Sequence, residues 1–178
     1  MIREVLDLRK VVVAIFIFVC FILQCTVFHS LAMGGIIPNL MIILTSSFGF
    51  MRGEKEGLLI GFVSGLLMDI FFGEFLGLNA LFFMYIGYLN GKFSMIFYPE
   101  DIKLPLALIT VSDLTYGLLS YTVLFLLRGR LQFSHYLIHC IIPEMIYTVV
   151  LTMFLYPIII KCNTWLETRE KRSAQKFV

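Results

Sequence analysis

Long apolar runs alternate with short polar breaks along the whole chain. Six such runs are separated by segments that hold nearly all of the charged residues. A helix of roughly 17–25 mostly apolar residues is long enough to cross a bilayer. The pattern therefore predicts an all-α integral membrane protein, a six-transmembrane-helix bundle that forms a single membrane domain over residues 1–178. The predicted spans are residues 11–29, 36–51, 57–73, 77–97, 104–127 and 134–160.

The first apolar run has a rival interpretation as a cleavable signal. A signal peptide has an apolar region of about 7–15 residues followed by small residues at the cleavage site. This run extends from Val11 to Phe28, is bulky throughout, and follows the basic residues Arg3, Arg9 and Lys10. It is therefore expected to remain as the first membrane span.

Basic residues are distributed unequally between alternate loops. Twelve of the 14 Lys and Arg fall before the first span, in 52–56, in 92–103 or from Lys161 onward, and the other two are Arg128 and Arg130. The positive-inside rule then puts both termini in the cytoplasm. The basic tail 161–178 could bind anionic lipid or a cytoplasmic protein. On the outer face, Arg128 and Arg130 are expected to contact lipid phosphates or a partner's carboxylates.

Composition excludes most other classes of protein. The chain is 60% hydrophobic and 15% charged, whereas soluble domains are roughly 45–50% apolar and about 25% charged. The four cysteines have no metal-ligand spacing, so buried thiols and no metal site are expected. There is no phosphate-binding loop, nucleophile elbow or zincin pair, and the basic residues are too scattered for nucleic acid. We expect neither an enzyme nor a cofactor.

Small residues recur every fourth position through the third span. On one helix, such residues lie nearly above one another, and in lipid they let two helix backbones approach closely. Two interpretations stay open: packing against the fourth span, and docking of a partner's transmembrane helix. The carboxyl group in this row is either a docking or relay group or one that is bonded within the bundle. The predicted contact residues are Gly57, Gly61, Gly65, Asp69, Gly73 and Gly77.

Two further acidic residues lie near mid-depth of the predicted spans. Asp113 is in the fifth span and Glu144 is in the sixth. Ionisable groups inside a membrane are unfavourable and usually have a partner. Facing carboxyl groups cannot both stay ionised there, so a shared proton or hydrogen bonds to Ser112, Tyr116 or Tyr147 are expected. A proton relay or substrate site is the alternative.

The start of the sixth span carries two histidines one helical turn apart. His135 and His139 share a face and could hold a metal, but no third ligand is apparent, so residues at the membrane interface are expected. Pro143 follows one turn later. Because proline has no N–H, it should kink this span and leave the carbonyl of His139 unpaired.

A family resemblance rests on the stretch through the second to fourth spans. It consists of Pro38-Asn39-Leu40, the glycines from Gly49 to Gly65, Gly-Leu-Leu-Met-Asp at 65–69, Gly73, Leu76-Gly77 and Asn79-Ala80. This stretch resembles the MreD family of rod shape-determining proteins, and the length and six-span layout match over the whole chain. The resemblance implies a non-catalytic scaffold of the cell-elongation machinery in the bacterial plasma membrane.

The resemblance also implies partners and a fold. The partners are an MreC-like single-span protein, a RodA-type glycosyltransferase with its penicillin-binding transpeptidase, and the cytoplasmic MreB filament. The fold is similar to the substrate-binding membrane subunits (S components) of energy-coupling-factor (ECF) transporters. Of the motif, Asp69 and the glycines at 57, 61 and 65 carry over, and their role as contacts is our inference.

The same sequence features leave two alternative functions open. A substrate-binding subunit of a vitamin transporter would use the polar residues at mid-depth, but such subunits dock through Ala-x-x-x-Ala in the first span. Here Ala14 has no second small residue four positions away. A carrier of a lipid-linked precursor is the weaker alternative, because no clustered cationic cavity is visible.

Overall fold

The computed structural model describes residues 2–32, 35–73, 75–96, 102–126 and 133–175. Within these ranges every regular element is helical. The helices are α1 (Ile2–Leu23), α2 (Leu40–Arg52), α3 (Glu54–Phe72), α4 (Leu78–Lys92), α5 (Lys103–Leu126), α6 (Phe133–Tyr136) and α7 (Ile142–Gln175). Turns of π-helix extend α1 over Gln24–Phe28 and join α6 to α7 over Leu137–Ile141, and a 3₁₀ turn follows α4 over Phe93–Ile96.

Three of the helical segments are long and apolar enough to cross a membrane. They are Leu8–Phe28, Lys103–Val123 and Leu137–Lys171. The other three segments fall where spans were predicted, but α2 has 13 residues and α4 has 15, which is about 20 Å and 22 Å at the helical rise. An all-helical membrane protein is therefore confirmed for the described residues, and the six-span count stays a prediction.

Helix α2 lies at the centre of the bundle. Twelve of its 13 residues are buried, and Leu40–Leu44 have no exposed surface. A helix that is apolar all round is covered on all sides, and here α1, α3, α4, α5 and α7 all contact it. Its shortness has a physical explanation, because its neighbours rather than lipid surround it.

The entrance to α2 is fixed by polar bonds. Asn39 is the N-cap, and its side chain accepts the N–H of Ile42 at 3.2 Å. The N–H of Asn39 donates to the hydroxyl of Thr148 on α7 at 3.1 Å. Gln24, in the π-turn after α1, accepts the N–H of Met41 at 3.3 Å. The first turn of α2 is thus bonded to both long helices beside it.

The last helix differs from the prediction in two respects. Where Pro143 was expected to kink the span, the chain forms the π-turn Leu137–Ile141 just before it. A wider turn fits here because Pro143 supplies no N–H to the preceding turn. Beyond the predicted span, α7 continues to Gln175, so most of the predicted basic tail is helical. Asn163 and Leu166 in this part are buried.

Candidate functional site

The glycine row of α3 faces the backbone of α4. Gly57, Gly61 and Gly65 are all buried. A Cβ atom at Gly61 would lie 2.6 Å from the carbonyl carbon of Phe83, and one at Gly65 would lie 2.6 Å from the backbone nitrogen of Ala80. Such distances leave no room for a side chain. The third and fourth predicted spans therefore pair through bare backbone, as an antiparallel hairpin.

A third helix joins this contact at one end. A Cβ atom at Gly57 would clash with the carbonyl oxygen of Gly87 on α4 and lie 2.8 Å from Cα of Gly49 on α2. A Cβ atom at Gly49 would lie 2.6 Å from the same carbonyl oxygen of Gly87. Three glycines, one from each helix, thus allow α2, α3 and α4 to meet backbone to backbone.

Asp69 ends the row and caps the partner helix. Its side chain is buried, with 3% of the residue exposed. One carboxylate oxygen accepts the N–H groups of Gly77 and Ala80, each at 2.9 Å, and the other accepts the N–H of Asn79 at 3.0 Å. The first N–H groups of a helix have no intrahelical partner and carry partial positive charge. Asp69 therefore supplies from α3 the cap that α4 needs, so this carboxyl group is bonded within the bundle.

Gly73 and Gly77 serve the turn between the two helices. Helix α3 ends at Phe72 and Gly73 is its C-cap. A Cβ atom at Gly73 would lie 2.7 Å from Cα of Asp69, in its own chain segment. Gly77 has φ +97°, in the left-handed region that favours glycine, and a Cβ atom there would meet open space. This corrects the extent of the predicted row, which ends at Asp69 because the helix ends three residues later.

Polar side chains join α4 to α5. The side-chain oxygen of Asn79 accepts the hydroxyl of Tyr116 at 2.8 Å. The buried side-chain nitrogen of Asn90 donates to the hydroxyl of Ser112 at 2.7 Å. The hairpin is thereby fixed to the next helix near both ends of α4.

The structure brings the buried Asp113 of α5 and the half-buried Glu144 of α7 into one acidic cluster. Asp113 is 4% exposed, and Glu144 lies within electrostatic range of it. Thr148 lies beside Asp113. In the part of the chain that the structure covers, however, neither carboxylate oxygen of Asp113 has a hydrogen bond of ordinary geometry. Two neighbouring carboxyl groups in apolar surroundings can share a proton. Among the described residues, the expected hydrogen bonds from Ser112, Tyr116 or Tyr147 to Asp113 are not formed. A shared proton, and a proton relay or substrate site, both stay predictions for this pair.

A network of charged residues joins four helices at one end of the bundle. Arg52, at the end of α2, is 9% exposed in its side chain and bonds to Asn163 and, at 3.1 Å, to Glu170 on α7. Arg9 of α1 pairs with Glu56 of α3 and with Glu170, the latter at 3.3 Å. From the sequence, these basic residues predict only the membrane topology. Their bonding partners on α7 are 111 to 161 positions away along the chain, and no local sequence pattern reveals such bonds.

The remaining candidates show no assembled site. His135 and His139 stack with ring centroids 4.1 Å apart, and the ring of His139 lies 3.1 Å from the carbonyl oxygen of His135. Among the residues with described positions, no three His, Cys, Asp or Glu side chains lie close enough together to hold a metal ion. Arg128 and Arg130 lie outside the described residues.

Comparison with known protein families gives a match over most of the chain. A family model described as rod shape-determining protein MreD matches residues 6–163. No curated protein and no solved structure matches the chain. The match extends from α1 to the buried part of α7 near Asn163, and so includes the hairpin, the acidic cluster and most of the charged network.

Proposed function

The chain belongs to the MreD family of rod shape-determining membrane proteins, and on that premise we propose that it is a non-catalytic scaffold of the bacterial cell-elongation complex. In this role it links an MreC-like single-span protein and a peptidoglycan synthase, of the RodA and penicillin-binding type, to cytoplasmic MreB. The family is associated with the MreB and MreC complex. The vitamin-transporter alternative draws no support from the family match.

The observation that carries this proposal is the construction of the α3–α4 hairpin. Its inner face is occupied by its own bundle, through Gly57, Gly61, Gly65 and the Asp69 cap. A partner therefore has to use another surface. We assign that role to the outward face of α3, where large apolar side chains recur at helical spacing. Leu59, Phe62 and Ile70 are 61%, 45% and 58% exposed.

A rigid hairpin suits a scaffold. Backbone contact without side chains leaves little freedom for α3 to shift against α4, and the cap joins the two helices at their connected end. The outward face of α3 is then a preformed surface, so little ordering is required when a partner helix binds. In a membrane, van der Waals packing between the apolar side chains of the two helices supplies the attraction.

The glycine row itself is a poor place for the test. A Gly61→Leu chain would drive a side chain into the backbone of Phe83, so loss of rod shape would follow from misfolding alone. The outward face separates the two effects. Phe62 and Ile70 are exposed, and side chains there can be replaced without filling space inside the bundle.

The test is crosslinking in cells from a photoreactive amino acid placed on α3. Positions 62 and 70 should capture an MreC-like single-span protein, identified by mass spectrometry. Position 111 is the matched control, because Val111 is 60% exposed but lies on α5, so a residue there can be replaced without filling the bundle and should not capture this partner. Cells that stay rod-shaped while neither α3 position captures any component of the elongation complex would exclude this assignment.

A further inference from the structure

Helix α7 separates its charged residues by sign where it passes the charged network. The acidic residues turn inward: Glu170 pairs with Arg9 and Arg52, and Glu167 accepts the side-chain N–H of Asn163 at 3.0 Å. The basic residues of the same segment are exposed, and they are Lys161, Arg169 and Lys171. Among the described residues from 161 to 171, the outward side of α7 therefore carries positive charge only.

An aromatic ring lies between two of these cations. Lys161, Trp165 and Arg169 recur every fourth residue, so they form one row along the helix, which we call the basic face of α7. Trp165 is 47% exposed, and the guanidinium carbon of Arg169 lies 4.7 Å from the centroid of its ring. Arg169 is thus turned back along the helix, and its charge lies at the level of Trp165.

The same side of α7 is apolar before Lys161. Val150, Phe154 and Ile158 recur at the same spacing and are 49%, 69% and 55% exposed. They belong to the segment Leu137–Lys171, which is long and apolar enough to cross a membrane. Large apolar side chains that a membrane helix leaves uncovered face the acyl chains of the lipid. The basic face therefore continues the lipid-facing side of this span beyond its apolar part.

The spacing of the basic face matches the depth of a headgroup layer. Lys161 follows Ile158 by three residues, and Trp165 follows Lys161 by four, which is about 6 Å at the helical rise. The polar layer on each side of a bilayer is about 5–8 Å deep. Tryptophan rings favour this layer, and long basic side chains place their charge within it.

We propose that the basic face of α7 binds an anionic phospholipid. Its headgroup contacts Lys161 and Arg169 beside the ring of Trp165, and an acyl chain packs along Phe154 and Ile158. Two observations select lipid as the occupant: positive charge without exposed acids attracts anionic headgroups, and the face is continuous with side chains that acyl chains cover. This role goes beyond the scaffold proposal and does not depend on it.

The test uses the fluorescence of Trp165, which is the single tryptophan of the chain. The full chain is reconstituted into phosphatidylcholine vesicles that contain the same fraction of either phosphatidylglycerol or phosphatidylcholine with brominated acyl chains. Bromine quenches the fluorescence of a tryptophan that it contacts, so the ratio of the two quenching efficiencies reports which lipid lies at Trp165. Brominated phosphatidylglycerol should quench the unaltered chain more strongly.

Variants of the basic face separate charge from packing. Arg169→Gln should lower the preference for phosphatidylglycerol about fivefold, which corresponds to about 1 kcal/mol per basic residue, and Arg169→Lys should retain most of it. Since Arg169 is exposed, both chains should unfold at the same temperature as the unaltered one. The matched control is Lys92→Gln, because Lys92 is also exposed and lies 4.9 Å from the ring centroid of Tyr88, but on α4. It should leave the preference unchanged.

Several outcomes would overturn the proposal. They are equal quenching of the unaltered chain by both lipids, an unchanged preference in the Lys161→Gln, Arg169→Gln double variant, and an equal loss in the Lys92→Gln control. A photoreactive residue at position 164, which is exposed beside Trp165, distinguishes lipid from protein in cells. Crosslinking to phospholipid is expected there, and capture of a cytoplasmic protein instead would reject lipid as the occupant.

Discussion

Asp69 holds the first turn of α4 from a position on the preceding helix. Most caps come from the residue directly before a helix, but here that residue is Gly77, which has no side chain to offer. The carboxylate of Asp69 accepts three N–H groups instead. Hydrogen bonds to a charged acceptor are stronger than neutral ones, so this residue should matter more than an ordinary cap.

Replacing Asp69 should destabilise the protein markedly. Asp69→Ala leaves three N–H groups without their acceptor, and we expect the free energy of unfolding to fall by about 2–4 kcal/mol. Asp69→Asn keeps one oxygen and should lose about half as much. The measurement is unfolding in detergent, with amide hydrogen exchange at 77–80. Glu54→Gln is the control, because this exposed carboxyl group only begins α3. Equal stability of Asp69→Ala and the control would contradict the capping role.

The effect of adding a methyl group can be compared between Gly61, in the α3–α4 contact, and Gly117 in α5. In a free helix, Gly→Ala adds up to about 1 kcal/mol of stability. At Gly61 the new methyl group would meet the backbone of Phe83, whereas at Gly117 it would meet only the side chain of Ile141 at 3.1 Å. We expect Gly61→Ala to lower the free energy of unfolding by about 1–3 kcal/mol and Gly117→Ala to stay within about 1 kcal/mol of the unaltered chain. Thermal unfolding in detergent measures both. Equal stability of the two variants would mean that α3 and α4 are not in backbone contact.

At the scale of helices, the sequence predicts position better than pairing. The apolar runs predict where each helical segment lies, and the four-residue period of the glycines predicts a close-packed face. The target of Asp69 is not predictable in this way, since it depends on a turn that Gly73 and Gly77 shape. The same applies to Arg52 and Glu170, which are 118 positions apart. Their contact follows from the packing of α7 against α2, and no short stretch of the sequence predicts that packing.

The Arg52 bonds should hold the C-terminal end of α2 against α7. Breaking a buried ion pair by removing one partner costs about 3–5 kcal/mol, and because Glu170 is 24% exposed we expect a smaller loss, about 1–3 kcal/mol, for Arg52→Ala. Lys at this position should recover part of the loss, since it keeps the charge without the planar donors. Amide exchange over 160–170 is the measurement, and Arg169→Ala, exposed on the same helix, is the control. The interpretation fails if exchange there is unchanged in Arg52→Ala.

In the whole molecule, side-chain bonds between helices identify one end of the bundle, in addition to the count of Lys and Arg. The bonds of Arg9, Arg52 and Glu170 require the start of α1, the α2–α3 turn and the late part of α7 to lie at the same end. Helix α3 runs from that end to the turn near Leu76. The excess of Lys and Arg predicts that the charged end is cytoplasmic, and this orientation places the turn outside.

Labelling of single cysteines in intact cells checks that orientation and whether α3 crosses the membrane. In a chain whose four native cysteines are replaced by alanine, Leu76→Cys should react with a membrane-impermeant maleimide, because Leu76 is 77% exposed and is expected outside. Lys55→Cys, at the other end of α3, should react only after the membrane is permeabilised. Reaction of both cysteines without permeabilisation would mean that α3 does not cross the membrane. Reaction of Lys55→Cys alone would reverse the predicted orientation, and with it the assignment of the charged end to the side of the MreB filament.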